Sequence, residues 1–108
     1  MSEYVPDSEV QVFVETQARL EPLWYVILHD DQLHTYDYVV RMLCDLFRLS
    51  AGQAFRHACE VDAAGVTIVA RLPKSEAEDK RDQIMRYGGD PLLHSAVSMR
   101  SSIEPADD

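Results

Sequence analysis

Apolar residues recur along the chain at two different spacings. Trp24, Tyr25, Val26, Ile27 and Leu28 form a run of aromatic and β-branched types, the signature of a central strand. Beyond a polar turn, Tyr36, Val39, Val40, Leu43, Leu46 and Phe47 fall three and four residues apart. That spacing predicts a helix to about Arg48 with one apolar face, and Thr35 stands where its N-cap belongs. Ser50 and Gln53 have the spacing of a capping box, in which each side chain satisfies a free backbone N–H of the first turn. They predict a second helix to about Glu60 with Ala54, Phe55, Ala58 and Cys59 inward, joined tightly to the first through Leu49.

Ala63-Ala64-Gly65 ends that helix, and Val66 to Leu72 is β-rich until Pro73 stops it. Ser75 and Glu78 repeat the capping-box spacing at the start of a third helix carrying Ala77, Ile84, Met85 and Tyr87, which Gly88-Gly89 terminates. Asp90-Pro91 reads as a turn. Leu92 to Met99 predicts a third strand, and the polar stretch from Arg100 to Asp108 is expected to fray. The fold class is therefore α+β, a small sandwich in the order β-α-α-β-α-β, with helices packed on a three-stranded sheet.

Before this unit lies an acidic arm, residues 1–21. Val10, Val12 and Val14 alternate with Gln11 and Phe13 there, a pattern open to two readings: an edge strand, or a flexible arm that becomes extended on meeting a partner. The expected organisation is an arm over 1–21, a folded domain over 22–99 and a polar tail over 100–108.

Composition narrows the partners. A chain of 108 residues suffices for one modest core. Nineteen acidic against ten basic residues give a net charge of -9, which makes nucleic acid and anionic membranes poor partners and cationic groups better ones. The start of the chain lacks the pattern of a signal peptide and no apolar run has membrane-spanning length, so a cytoplasmic location is expected. Cys44 and Cys59 match no zinc or redox spacing and read as buried free thiols.

Chemistry concentrates in the turn between the first strand and the first helix. There is no phosphate loop, nucleophile elbow or metalloprotease helix. His29, Asp30, Asp31 and His34 cluster in sequence, and a fold could bring Asp62 to them. These are acceptable metal ligands, but no two have a diagnostic spacing. Acid–base catalysis by paired carboxylates needs a pocket and perturbed proton affinities, which sequence does not display. No catalytic residue, metal or cofactor is assigned.

Several patches together resemble the ClpS family of Clp protease adaptors. Val26-Ile27-Leu28 with the acidic pair, the run Tyr38 to Phe47, Cys59 to Gly65, Ala77-Glu78-Asp79-Lys80 and Asp90-Pro91-Leu92-Leu93 match it in order, over about residues 22–95. The resemblance implies a non-enzymatic adaptor. It would bind proteins with a bulky apolar N-terminal residue, an N-degron, and deliver them to a Clp AAA+ unfoldase and its peptidase.

Carried over by position, the resemblance assigns the α-amino group to Asp30, Asp31 and Asp62, with His34 at the rim. The apolar pocket maps to Tyr36, Val39, Met42, Ala58, Val61 and Leu92, and unfoldase docking to Glu78 and Lys80. The chain departs from the family pattern where Asp30 replaces Asn, Gln32 replaces Asp, Thr-Pro-Met becomes His34-Thr35-Tyr36, Ala58 replaces Met and Asp62 replaces His. Taken singly, the aspartates read as turn and helix-end residues and the apolar positions as core; their joint match carries the assignment. Two other readings stand beside it: a regulatory module that docks on an unfoldase without N-degron binding, and a metal-dependent enzyme at the acidic turn.

Overall fold

The computed structural model describes residues 21–31, 33–89 and 97–106. Strand β1 (Leu23–His29) is followed by helices α1 (Tyr36–Phe47) and α2 (Ala51–Ala64), strand β2 (Val66–Pro73), helix α3 (Lys74–Met85) and strand β3 (Arg100–Pro105). The expected order β-α-α-β-α-β is the order found. β1 is central in an antiparallel sheet of order β2-β1-β3, and its Val26, Ile27 and Leu28 are buried. Register with β2 steps from Val26 opposite Ala70 to Ile27 opposite Ile68. Val69 is the extra residue of this bulge and joins the core.

The helix boundaries follow from local hydrogen bonding. Thr35 caps α1 by accepting from Tyr38 N. The capping box of α2 is complete: Ser50 Oγ accepts from Gln53 N at 3.1 Å and Gln53 Oε1 accepts from Ser50 N at 3.0 Å. α2 runs to Ala64, beyond the expected Glu60, because Gly65 at φ 84° supplies the left-handed cap and donates to Val61 O. Ala54, Ala58 and Val61, spaced four and three apart, form its buried stripe. Phe55, expected inward, lies about 100° round the helix from Ala54 and is 51% exposed.

Two further expectations are corrected. α3 starts at Lys74 from Pro73, with no side-chain cap bond, so Ser75 and Glu78 do not form the expected box; the helix ends at Met85, short of the expected Tyr87. Among the described residues the third strand is Arg100–Pro105, which lies beyond the expected Leu92–Met99. Residues 92–96 lie outside the described residues, and Val97 to Met99 are not in a strand. The segment expected to fray pairs with β1 because its polar side chains have partners: Ser101 Oγ donates to Ile27 O at 2.8 Å, and Ser102 Oγ lies 2.7 Å from His29 Nε2. Ile103 stands opposite Val26.

α1 packs on α2, α2 on β2, and α3 on the sheet. The resulting core joins Val26 and Leu28 to Val39, Met42 and Leu43 of α1, to the α2 stripe, and to Ala77 and Ile84 of α3. This arrangement holds the turn after β1 against the C-terminal end of α2. Asp30 N donates to Gly65 O at 2.9 Å.

Candidate functional site

That backbone bond brings the acidic turn next to the helix end that carries Asp62. Asp30 and Asp31 are partly buried, and Asp62 is exposed. Asp31 Oδ1 accepts from Leu33 N at 2.9 Å, an Asx-turn contact that fixes the carboxylate within its own turn. The same oxygen lies 2.8 Å from His34 Nδ1. From β3, Arg100 Nη2 approaches Asp30 O at 3.5 Å.

Tyr36, the first residue of α1, reaches across to α2. Its hydroxyl donates to Asp62 Oδ2 at 2.6 Å, and its ring lies 5.7 Å from that of Phe55. The hydroxyl is pushed up to about 12 foremost by this hydrogen bond, which the phenolate could not donate, and further by desolvation and the nearby charges of Asp62, Cys59 and Asp30. Tyr36 thus bridges the two helices at the edge of the acidic cluster.

Beneath the cluster, Val39, Met42, Ala58 and Val61 are each at most 4% exposed and belong to one core. Of the residues expected to form the apolar pocket these four are contiguous, Tyr36 stands exposed outside that core, and Leu92 lies outside the described residues. His34 is committed within the protein: Nδ1 faces Asp31 and Nε2 lies 2.7 Å from Val97 O. Val97 was not a sequence candidate, and a backbone carbonyl acceptor leaves no mark in a sequence.

Glu78 and Lys80, on α3, are remote in sequence and partly buried. Lys80 Nζ donates to Leu46 O at 2.6 Å and lies 5.4 Å from the Phe47 ring centroid. It therefore satisfies a free carbonyl at the C-terminus of α1, where a cation is favoured. Among the described residues, no three His, Cys, Asp or Glu side chains converge as a metal-ligating group, and no helix is long and apolar enough to cross a membrane.

The model of the family described as "ATP-dependent Clp protease adaptor protein ClpS" matches residues 19–94. The chain belongs to the ClpS family. It is 34% identical over 61 residues to the ATP-dependent Clp protease adapter protein ClpS of Nitratidesulfovibrio vulgaris, across 56% of this chain and 59% of that protein. The match therefore spans less than two thirds of that relative's length. The ClpS of Roseobacter denitrificans is 28% identical over 81 residues, 75% of this chain and 72% of its own. ClpS2 of Agrobacterium tumefaciens, solved bound to L-phenylalaninamide, superposes with a TM-score of 0.69 at 21% identity, over 79% of this chain and 98% of that one. This likeness establishes the α+β fold as that of ClpS proteins, with β3 in place of the expected tail.

Proposed function

We propose that the protein is an adaptor that binds the N-terminal residue of client proteins, through its α-amino group and a bulky apolar side chain, and delivers them to a Clp AAA+ unfoldase and its peptidase. The observation that carries this reading is the stitching of the Asp30-Asp31 turn to the Asp62 end of α2 above a buried apolar wall, in a chain of the ClpS family. An α-ammonium offers three donors and needs acceptors when it is desolvated; three carboxylates supply them. The A. tumefaciens ClpS2 structure, holding a phenylalanine amide, supports the same choice of ligand.

The energies suit a transient adaptor. Each charge-assisted hydrogen bond contributes about 1.5 to 3 kcal/mol, and burial of a Leu or Phe side chain about 1.5 to 3 kcal/mol. Two such bonds and one side chain, less the ordering cost of association, suffice for weak, reversible capture. The reading requires neither a cofactor nor a catalytic step, and it places the protein in the cytoplasm. Glu78 and Lys80 remain the proposed docking face, with Lys80 also capping α1.

The test is a fluorescence titration with peptides that differ only in the first residue, each with a free and an acetylated N-terminus. Leu, Phe, Tyr or Trp peptides should bind when free, weaken as salt rises, and lose binding on acetylation or with Asp31→Ala. Equal affinity for free and acetylated peptides would refute ammonium recognition. Failure of every free peptide to bind would leave the regulatory-module reading in its place.

A further inference from the structure

His34 presents a titratable side chain that is only 1% exposed and has an acceptor on each ring nitrogen. A backbone carbonyl only accepts, so Nε2 must donate to Val97 O. An ionised carboxylate also only accepts, so Nδ1 must donate to Asp31 Oδ1. A neutral imidazole carries one N–H, and only the imidazolium carries both. We propose that His34 is a positioning residue whose cationic form bolts the acidic turn to the chain at Val97 and orients Asp31 toward the α-ammonium of a bound N-terminus. Loss of the ring proton releases one of the two contacts. This proposal rests on the N-terminal-residue reading above.

The wiring of Asp31 supports the role. Leu33 N and His34 Nδ1 both address Oδ1, and among the described residues Oδ2 takes no hydrogen bond, so an acceptor remains for a ligand. Val97 leads through Met99 into β3, while β1 leads into the turn; the His34 contact therefore closes a loop between two adjacent strands at the site. Among the described residues, the groups facing the ring are Asp31 from the turn, the Val97 carbonyl ahead of β3, and the Tyr38 ring from α1, with centroids 4.5 Å apart. Arg100 of β3 contacts the backbone of the same turn at Asp30, and Asp30, Asp62 and Tyr36 complete the charged and titratable surroundings. The imidazolium charge itself opposes an ammonium, so charge and positioning act with opposite signs on binding and can be separated.

Two readouts test this on the full chain. In the ligand-free protein, ¹H–¹⁵N spectra of the imidazoles, assigned by comparison with His34→Gln, should show both His34 nitrogens protonated at pH 6. In titrations with a Phe-initiated peptide, His34→Gln should bind about tenfold more weakly than wild type at pH 6. In an Asp31→Asn background, His34→Gln should have no further effect on binding. A ring with a single N–H at pH 6, or unchanged or tighter binding by His34→Gln, would overturn the proposal. If wild type binds no free N-terminus, the adaptor reading fails and the positioning role with it, while the ring spectrum separately decides whether the bolt exists.

Discussion

Replacing Tyr38 by Phe removes one oxygen from the centre of the fold and should loosen the segment on which the acidic turn is anchored. Tyr38 is 2% exposed, and its hydroxyl donates to Gly88 O. Gly88, at φ 112°, donates its own N–H to Ser98 Oγ at 2.7 Å, and the neighbouring Val97 accepts from His34. One hydroxyl thus ties α1 to the turn after α3 and, through Ser98, to the approach to β3. The ring remains in Tyr38→Phe, so its edge contact with Tyr87 at 5.7 Å survives, while the hydrogen bond to Gly88 O is lost. A buried acceptor left dry costs about 1 to 3 kcal/mol. Gly88 is only partly buried, so water can reach its carbonyl, and the lower half of that range applies. The expected loss of about 1 to 1.5 kcal/mol lowers Tm by roughly 4 to 10 °C in a domain of this size. Urea unfolding followed by far-UV circular dichroism should show a lower midpoint with an unchanged slope. Ser98→Ala combined with Tyr38→Phe should cost less than the sum of the two, by at least about 0.5 kcal/mol. Strict additivity, or an unchanged midpoint for Tyr38→Phe, would refute the chain Tyr38, Gly88, Ser98 as a mechanical unit.

Other perturbations have separate signatures. Ser50→Ala removes one half of the α2 capping box and should cost about 1 kcal/mol in urea unfolding. Lys80→Ala removes the donor at Leu46 O and the cation over Phe47, for a loss of roughly 1 to 2 kcal/mol, of which Lys80→Arg should recover part; an Ala variant of wild-type stability would return Lys80 to a purely surface role. Absorbance at 295 nm should record Tyr36 and Tyr87 ionising at about 12, the first chiefly from its bond to Asp62 and the second from burial and Asp45. Because these values are raised above the ordinary 10, whatever stability the two hydroxyls contribute is fully present below pH 10 and is lost as pH climbs through about 12. Tyr36→Phe should delete one late step, and Asp62→Asn should move that step down; a spectrum unchanged by Asp62→Asn would remove the bridge between α1 and α2.

What the sequence could reveal was set by whether a feature is local. The capping box of α2 and the Thr35 cap depend on residues three apart, and both appear as expected. The strand β1 announces itself by composition because Val26 and Leu28 enter the core and Ile27, on the opposite face, is also buried. β3 does not, since Arg-Ser-Ser-Ile-Glu-Pro carries one apolar residue before its proline and owes its place to bonds with Ile27 and His29, more than 70 positions away. Phe55 was misplaced because apolar character suggests burial, whereas its helical angle faces it toward Tyr36 rather than the core. At the site, the acidic residues were legible as residues. The partners that orient them, the Tyr36 hydroxyl and the Val97 carbonyl, were not.

Those partners change how the anionic cluster should behave. Three carboxylates close together would repel one another and raise the cost of forming the turn. Here Asp62 has a neutral donor in Tyr36 and Asp31 has His34, so two of the three are held by groups from different elements before any ligand arrives. Both contacts use positions where the chain departs from the family pattern that its sequence resembles, Tyr36 and His34, and Asp62 is itself a departure. Substituting Tyr36 or His34 alone toward that pattern therefore leaves a carboxylate without its partner, and Asp62→His alone leaves the Tyr36 hydroxyl without its acceptor, whereas Tyr36→Met with Asp62→His replaces both members together. The double variant should accordingly fold more stably than the sum of its single variants predicts, read as non-additive midpoints in urea unfolding. Simple additivity would mean that the two departures arose independently of their contact.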